Sequence, residues 1–355
     1  MTHATFSRAR SRWIAVLSAG CIGTALAATP TQQQAIVQTG AGGPEVLKLE
    51  TVPVLEPGEK QLLIRVYAAA VNPTDWKTRV AAEGYTTAAS GPGGRIIAGL
   101  DVAGVVEKTG SGVTGFKAGD PVFAVIARVP KVLNGGYAQF SVAAVANVVR
   151  KPKTMSYPEA AGLGVVGVTG LRAVDQTQVA KGQRVLITGV AGGVGSVAAQ
   201  VAKARGAYVI GTASAQHNAY LHSIGVDEVV DYTQVRFEDT VKNVDVVIDT
   251  VGSDTAERAF ATMKKGGMYI SVAARDLDSK CAAAGVTCIG RASAGDLDRK
   301  LYDELGSLAD SGKLKIKVDR SFPLAQAAQA QVFGEKGHTE GKIILIVDAA
   351  HTGRN

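Results

Sequence analysis

The chain has 355 residues, of which 46% are apolar, 19% charged and 5% aromatic, and its formal charge is +7. That length and balance fit a soluble globular protein of two domains with ample core. The basic residues are dispersed and aromatic residues are sparse, which argues against a nucleic-acid partner.

Residues 1–12 carry Arg8, Arg10 and Arg12 with no acid, and residues 13–27 form an apolar run closed by Ala25, Leu26 and Ala27, a small-x-small cleavage pattern. Residues 1–27 therefore read as a secretory signal peptide. The run is shorter than the roughly 20 residues a membrane span needs, so no span is expected after cleavage. Cleavage removes three arginines and lowers the charge to +4. Ser18 stands where a lipoprotein signal carries Leu, and no arginine pair marks the twin-arginine route. The expected location is periplasmic or secreted, with an uncleaved cytoplasmic leader as the alternative.

Residues 35–38, 46–49, 62–69, 101–108, 121–126 and 137–142 read as strands separated by turns rich in Gly and Pro, which predicts a β-rich domain. Residues 153–179 turn helical, with Ser156 as the cap and Pro158 and Glu159 in the first turn.

Residues 183–214 carry the strongest local signal. Val185, Leu186 and Ile187 form a strand, Gly189, Gly192 and Gly195 fall three apart in the turn and the start of a helix, and residues 208–211 form a second strand. A βαβ unit with glycines so placed can bend sharply, approach a pyrophosphate without a Cβ in the way, and pack helix on strand. The helix N-terminus then offers free N–H groups and the positive end of its dipole to phosphate. After the second strand come Thr212, Ala213 and Ser214, where an NAD enzyme carries Asp or Glu. The missing carboxylate, together with Ser214, His217 and Asn218 as donors, favours NADP(H). That cofactor is not regenerated outside the cytoplasm, so the leader and the nucleotide site point to different compartments.

Strands at 228–231, 245–249, 268–272 and 286–289 alternate with helical stretches, which predicts a doubly wound parallel sheet. A helix is expected at 297–314, then a strand at 315–319, a short helix at 324–333 and a strand at 342–347 that return to the first domain. Beyond the leader two cysteines remain, Cys281 and Cys288. Their spacing matches no zinc pattern, and they read as two buried thiols at a helix end and on a strand. An oxidising compartment would permit a disulfide if their Cβ atoms met.

The order of these parts resembles the medium-chain dehydrogenase/reductase superfamily, in its zinc-independent quinone oxidoreductase branch with zeta-crystallin-like proteins. Asn72-Pro73-Thr74-Asp75 resembles the branch's NPxD motif, Gly99-Leu100-Asp101-Val102-Ala103-Gly104 its GxDxAG, residues 116–122 its FxxGDxV, and residues 135–140 its GGYAEY element. Residues 246–252 resemble the fourth Rossmann strand, and Gly341-Lys342-Ile343 the closing GKI. The resemblance implies a Rossmann sheet at 153–296 and a GroES-like β-rich catalytic domain at 28–152 and 297–355.

It also implies roles. Gly189, Gly192, Gly193, Val194 and Gly195 match the pyrophosphate turn, while Ser214, His217 and Tyr232 match the 2′-phosphate contacts. A histidine at 217 would tighten NADPH binding as pH falls. Thr169, Thr250, Val251, Ala273 and Ala274 match the nicotinamide surroundings. Asn72, Asp75, Tyr85 and Lys342 are the candidates at the substrate cleft, although an Asn-Pro or Asp can equally form a turn. The superfamily's zinc ligands have no Cys or His counterparts here, so no metal is expected.

The implied reaction is NADPH-dependent reduction of a quinone or an α,β-unsaturated carbonyl, with Tyr85 or water as the proton source and Trp76 and Tyr85 as flat walls. The alternatives are an enoyl-thioester reductase and a non-catalytic NADPH-binding protein of crystallin type. The partner is a small-molecule electron acceptor, and a homodimer is expected through the strand at 286–289.

Overall fold

A computed structural model describes residues 1–2, 29–80, 94–127, 132–273, 277–292 and 299–354. The elements below all belong to the compact unit Thr31–Asn355. The expected leader beyond residue 2, Tyr85 and Ala274 lie outside the described residues.

The first half builds two sheets. In chain order its elements are β1 (Gln32–Gln38), β2 (Leu47–Pro53), β3 (Gln61–Val71), α1 (Pro73–Val80), β4 (Ile96–Ile97), β5 (Asp101–Thr109), β6 (Pro121–Val125), β7 (Phe140–Ala144) and β8 (Val148–Arg150). β1 pairs antiparallel with β2 and β4. β3 is the long central strand of the second sheet, with β5 and β7 on its hydrogen-bonding edges. Its alternate residues Leu62, Ile64 and Val66 are all buried, and so are Leu63 and Ala68, because both faces of β3 are covered. The sequence misses α1. Its signal is the helix-start chemistry of Pro73 at the first helical position and an acid in the first turn, Asp75.

Helices α2 (Tyr157–Ala161) and α3 (Gly164–Gln176) carry the chain onward. Ser156 is the cap that the sequence predicts, and with Glu159 it forms a reciprocal capping box, each side chain bonding the other's backbone N–H. The alternation that follows is β9 (Arg184–Thr188), α4 (Gly193–Ala204), β10 (Tyr208–Ala213), α5 (Asn218–Ser223), β11 (Glu228–Asp231), α6 (Phe237–Thr240), β12 (Val244–Asp249), α7 (Asp254–Phe260), β13 (Met263–Ser271), α8 (Asp278–Ala284) and β14 (Thr287–Arg291). Its six strands are all parallel in the order β11-β10-β9-β12-β13-β14. The order reverses direction at β9, where the loops after β9 and β12 diverge and open a crevice.

α9 (Arg299–Asp310), β15 (Val318–Pro323), α10 (Ala327–Glu335) and β16 (Lys342–Ile346) complete the chain. β16 pairs antiparallel with β3 and parallel with β15, so the tail extends the sheet of the first half. The strand expected at 315–319 begins later because Gln200 of α4 occupies the backbone of Lys315, accepting from its N–H and donating to its carbonyl. The strand expected at 137–142 also starts later. Gly135 lies so close to Ile97 that a Cβ would sit 2.1 Å from its carbonyl oxygen, and the Tyr137 N–H bonds Ala98 outside any strand.

One apolar cluster joins the two halves, running from Tyr67, Phe123 and Met155 through Leu171 to Val185 and Ile187. α3 lies on α4 so tightly that a Cβ on Gly170 would sit 2.9 Å from the side chain of Val197. Burying each of Val168, Leu171 and Val174 contributes about 1.5–3 kcal/mol before conformational entropy is subtracted.

Cys281 on α8 and Cys288 on β14 are joined in a disulfide with their Cα atoms 6.0 Å apart. This corrects the expectation of two separate thiols; the turn at Gly285, which has a positive φ of 68°, brings the strand back against the helix. The bridge fastens an edge strand whose other edge has no strand partner among the described residues. Replacing both cysteines by serine is expected to destabilise the native state by about 2 kcal/mol, the loop-closure value for so short a ring. Hydrogen exchange should accelerate first in β14; unchanged protection there would show that the bridge does not hold the edge.

Candidate active site

The pyrophosphate turn has the geometry its glycines imply. Gly189 follows β9 with φ of 63°, a left-handed turn that an L side chain adopts only with strain, and a Cβ there would lie 2.7 Å from the Thr250 hydroxyl. Gly195 packs α4 on the turn, since a Cβ would fall 2.5 Å from the Gly189 carbonyl oxygen. A Cβ on Gly192 would meet nothing nearer than that same oxygen, at 3.5 Å, so this face is open. Gly192 is the N-cap of α4 and no side chain caps the helix. The N–H of Val194 has no partner among the described residues and is left for an outside acceptor, which is the fit that a dinucleotide pyrophosphate requires.

A buried carboxylate holds the far wall of the crevice. Asp249, at the end of β12, accepts from the Thr188 hydroxyl (2.6 Å), the Tyr269 phenol (2.7 Å), the Ser271 hydroxyl (3.1 Å) and the N–H groups of Val251 and Gly252 (3.0 Å each). This fan of donors fixes residues 250–252 relative to β9. Thr250 donates to the Thr188 carbonyl, and Val251 is left 51% exposed at the crevice. Ala273 follows β13 with its N–H on the Ser271 hydroxyl. Sequence reasoning treated Asp249 only as part of a strand; the signal was an acid ending an apolar run.

At the adenosine end Ser214 leaves its hydroxyl free of any cap bond, and Tyr232 is 44% exposed. His217 is turned the other way. Its ring is buried, with Nδ1 2.6 Å from Glu340 Oε2 and Nε2 3.2 Å from the Gln216 amide nitrogen. Burial holds the imidazole below its ordinary pKa, with Lys317 and His338 adding to the effect against Asp319. A neutral ring that donates from Nδ1 to Glu340 and accepts at Nε2 from Gln216 satisfies both contacts. The expected pH-dependent grip on a 2′-phosphate therefore lacks a free N–H at His217. Asp231 also reaches this turn, accepting from the Ala215 N–H and from both the N–H and hydroxyl of Thr233. The Thr233 hydroxyl is the main cause that holds this carboxyl below its ordinary pKa.

The second group of candidates meets between the two sheets. Lys342 opens β16 and is almost wholly buried; its Nζ donates to the Asn72 Oδ1 (2.6 Å) and the Val71 carbonyl (2.8 Å). Asn72 Nδ2 donates to Asp101 Oδ2 (2.9 Å), and Asp101 Oδ1 accepts the Val165 N–H (3.0 Å) in the first turn of α3. α3 has no cap of its own, so Asp101 caps it from 64 residues away. Gly164 is required beside it, since a Cβ there would lie 2.3 Å from the carboxylate. Thr169 is on the same helix, its hydroxyl bonded back to the Val165 carbonyl.

Asp75 stands behind this chain. Its Oδ2 accepts the Asn72 N–H and the Tyr137 phenol, each at 2.8 Å, so it holds the Asn72 backbone and lies one step away from the cleft. Trp76 is not a cleft wall: it packs into the core against Gly334 of α10. The Lys342 side chain runs against Gly193, a Cβ on which would meet its Cδ at 3.0 Å. Gly341 donates its N–H to the Ala191 carbonyl and bridges Gly192 in parallel. The glycine turn and the Lys342–Asn72–Asp101 chain are thus one structure.

Burial raises the Asp101 carboxyl to a pKa of about 6 against the pull of Lys342, and burial lowers the Lys342 ammonium against the pull of Asp101 and Asp75. Between pH 3.8 and about 6 the folded protein binds the Asp101 proton more tightly than the unfolded chain does. Stability attributable to this group therefore falls as pH rises through that window. Lys342 has the opposite sign, its contribution growing as pH rises toward 10.5. Asp101→Asn is expected to flatten the slope of the urea midpoint against pH between those limits. Lys342→Met leaves a buried carboxylate without its counter-charge and should cost about 3–5 kcal/mol at neutral pH. Adding Asp101→Asn to Lys342→Met should cost less than the sum, and strict additivity would deny the coupling.

Residues 58–153 match the alcohol dehydrogenase GroES-like domain family and residues 224–345 the family described as zinc-binding dehydrogenase. An NADPH-dependent alkenal/one oxidoreductase of Arabidopsis thaliana chloroplasts is 35% identical over 91% of this chain and 81% of its own. A quinone oxidoreductase of Mus musculus is 31% identical over 86% of this chain and 95% of its own. The solved structure of the quinone oxidoreductase from Coxiella burnetii superposes with a TM-score of 0.79 at 31% identity, covering 89% of this chain and 99% of that one.

Proposed function

Since the chain belongs to the medium-chain dehydrogenase/reductase superfamily, in its quinone oxidoreductase-like branch, we propose that it reduces quinones or α,β-unsaturated carbonyls with NADPH. The observation that carries this reading is the uncapped, open glycine turn joined through Gly341 to the buried Lys342–Asn72–Asp101 chain. The relatives named above are called oxidoreductases of alkenals, alkenones or quinones, which supports the same acceptor class.

Gly192, Gly193 and Val194 would hold the pyrophosphate, Ser214 and Tyr232 the 2′-phosphate, and Thr169, Thr250, Val251 and Ala273 the nicotinamide end. When bound, the reduced nicotinamide supplies a hydride to an electron-poor carbon. The chain's own part is to orient, exclude water and place positive charge. Lys342 keeps an ammonium behind the cleft, two of its N–H groups fixed on Val71 and Asn72. Asn72 holds that ammonium in register with Asp101 and so with the start of α3. Charge that develops on an acceptor oxygen is stabilised by fixed donors and dipoles of this kind. We place the proton source at Tyr85 or water. The proposed reading uses no metal, because the positions of the superfamily's zinc ligands hold no Cys or His in this sequence.

The further reading is of an exported homodimer, with residues 1–27 as leader. The Cys281–Cys288 bridge supports export, since such bonds persist in oxidising compartments, and the open edge of β14 supports pairing with a second copy. Cell fractionation and sedimentation equilibrium test these two points.

The deciding assay follows NADPH oxidation against a panel of quinones, enones, enals and enoyl thioesters. Turnover with quinones or enones is expected; turnover confined to the thioesters would move the enzyme to the enoyl reductases, and none with any of the four would overturn the reading. Ser214→Asp sets a carboxylate where the 2′-phosphate is proposed to lie and should raise the KM for NADPH about tenfold or more while sparing NADH, a change of about 1.4 kcal/mol per factor of ten. Equal effects on both nucleotides would remove Ser214 from that site.

A further inference from the structure

Away from the glycine turn, a cavity of about 380 Å³ opens where α5 faces the end of α9 and the segment before β15. Its floor is apolar, built from Met155, Ile224, Leu314 and Ile316, all buried. Lys315, Lys317 and Arg354 also line it. Lys317 is paired with Glu340 and lies over the Tyr220 ring, 4.7 Å from its centroid. The side chains of Lys315 and Arg354 have no ion-pair partner among the described residues. The one acid at the cavity, Glu159, has its Oε2 turned into the cap of α2, where it accepts from the Ser156 N–H and hydroxyl.

Tyr220 contributes its ring to the wall; its hydroxyl is closed off from solvent, and so from the cavity, beside the Ser196 side chain of α4. Two cations without ion-pair partners above an apolar floor select for a negative head on a greasy body. The volume is in the range of small-ligand sites.

We propose that this cavity is a second binding site, separate from the nucleotide crevice, and that it takes a small amphiphilic anion of monocarboxylate type. The carboxylate meets Lys315 and Arg354, and the hydrocarbon lies on Met155, Ile224 and Ile316. The site does not depend on the reductase reading, because none of the glycine-turn or Lys342-chain residues lines it.

Isothermal titration of the full chain with octanoate, octan-1-ol and inorganic phosphate, with and without NADPH, tests it. Octanoate should bind about tenfold or more tighter than either control, and NADPH should not displace it. Lys315→Ala combined with Arg354→Ala should weaken octanoate about tenfold, as loss of charge-assisted hydrogen bonds implies. Both cations are exposed, so the double variant should fold; an unchanged melting temperature checks this. Octanol binding as tightly would reduce the site to an apolar hole, and phosphate binding as tightly would reduce it to a bare cation pair. Competition by NADPH, no octanoate binding at all, or affinity untouched by the double variant would each overturn the proposal.

Discussion

A carboxylate removed from water has to be satisfied on every side, and Asp101 is satisfied by parts of the chain that are far apart in sequence. Its oxygens take the first turn of α3 and the amide of Asn72, which in turn holds the ammonium of Lys342. A buried ion pair of this kind contributes little net stability, because desolvation offsets the attraction, but leaving one partner alone is costly. The cost acts on arrangement: β3, β5, α3 and β16 have one relative placement in which none of these groups is orphaned.

The nucleotide crevice follows the same logic with different chemistry. Asp249 gathers two hydroxyls, a phenol and two backbone N–H groups, and so fixes the loop after β12 against the loop after β9. The glycines between them then have separate duties. Gly189 is small because it takes a positive φ against the Thr250 and Val251 side chains, Gly195 because the Gly189 backbone approaches it, and Gly192 where a Cβ would meet only the Gly189 carbonyl oxygen, at 3.5 Å. The first two make the turn possible, and the third leaves a face for phosphate.

Much of this was legible in the residues. The alternation of strands and helices, the glycine spacing, the capping box at Ser156 and Glu159 and the return of the tail strand all follow from local chemistry with known periods. What escaped was decided by partners distant in sequence. No window around Asp101 shows that it caps a helix 64 residues on, and none around His217 shows that Glu340 captures its ring. Trp76 read as a flat wall, and its packing on Gly334 is set by a helix far along the chain. The spacing of Cys281 and Cys288 gave no pairing by itself, because the turn at Gly285 decides whether helix and strand come back together.

The main-chain seam at residues 191–192 and 341 has a mechanical meaning. Gly341 bonds the carbonyl of Ala191 and pairs with Gly192, so the phosphate loop and the head of β16 are stitched backbone to backbone. The join tolerates no side chain at 341, where φ is 93° and a Cβ would lie 2.2 Å from the Lys317 carbonyl oxygen. The loop that grips the phosphates and the strand that bears Lys342 are thereby held by one continuous backbone seam, so the distance from phosphate loop to ammonium is set by main-chain bonds.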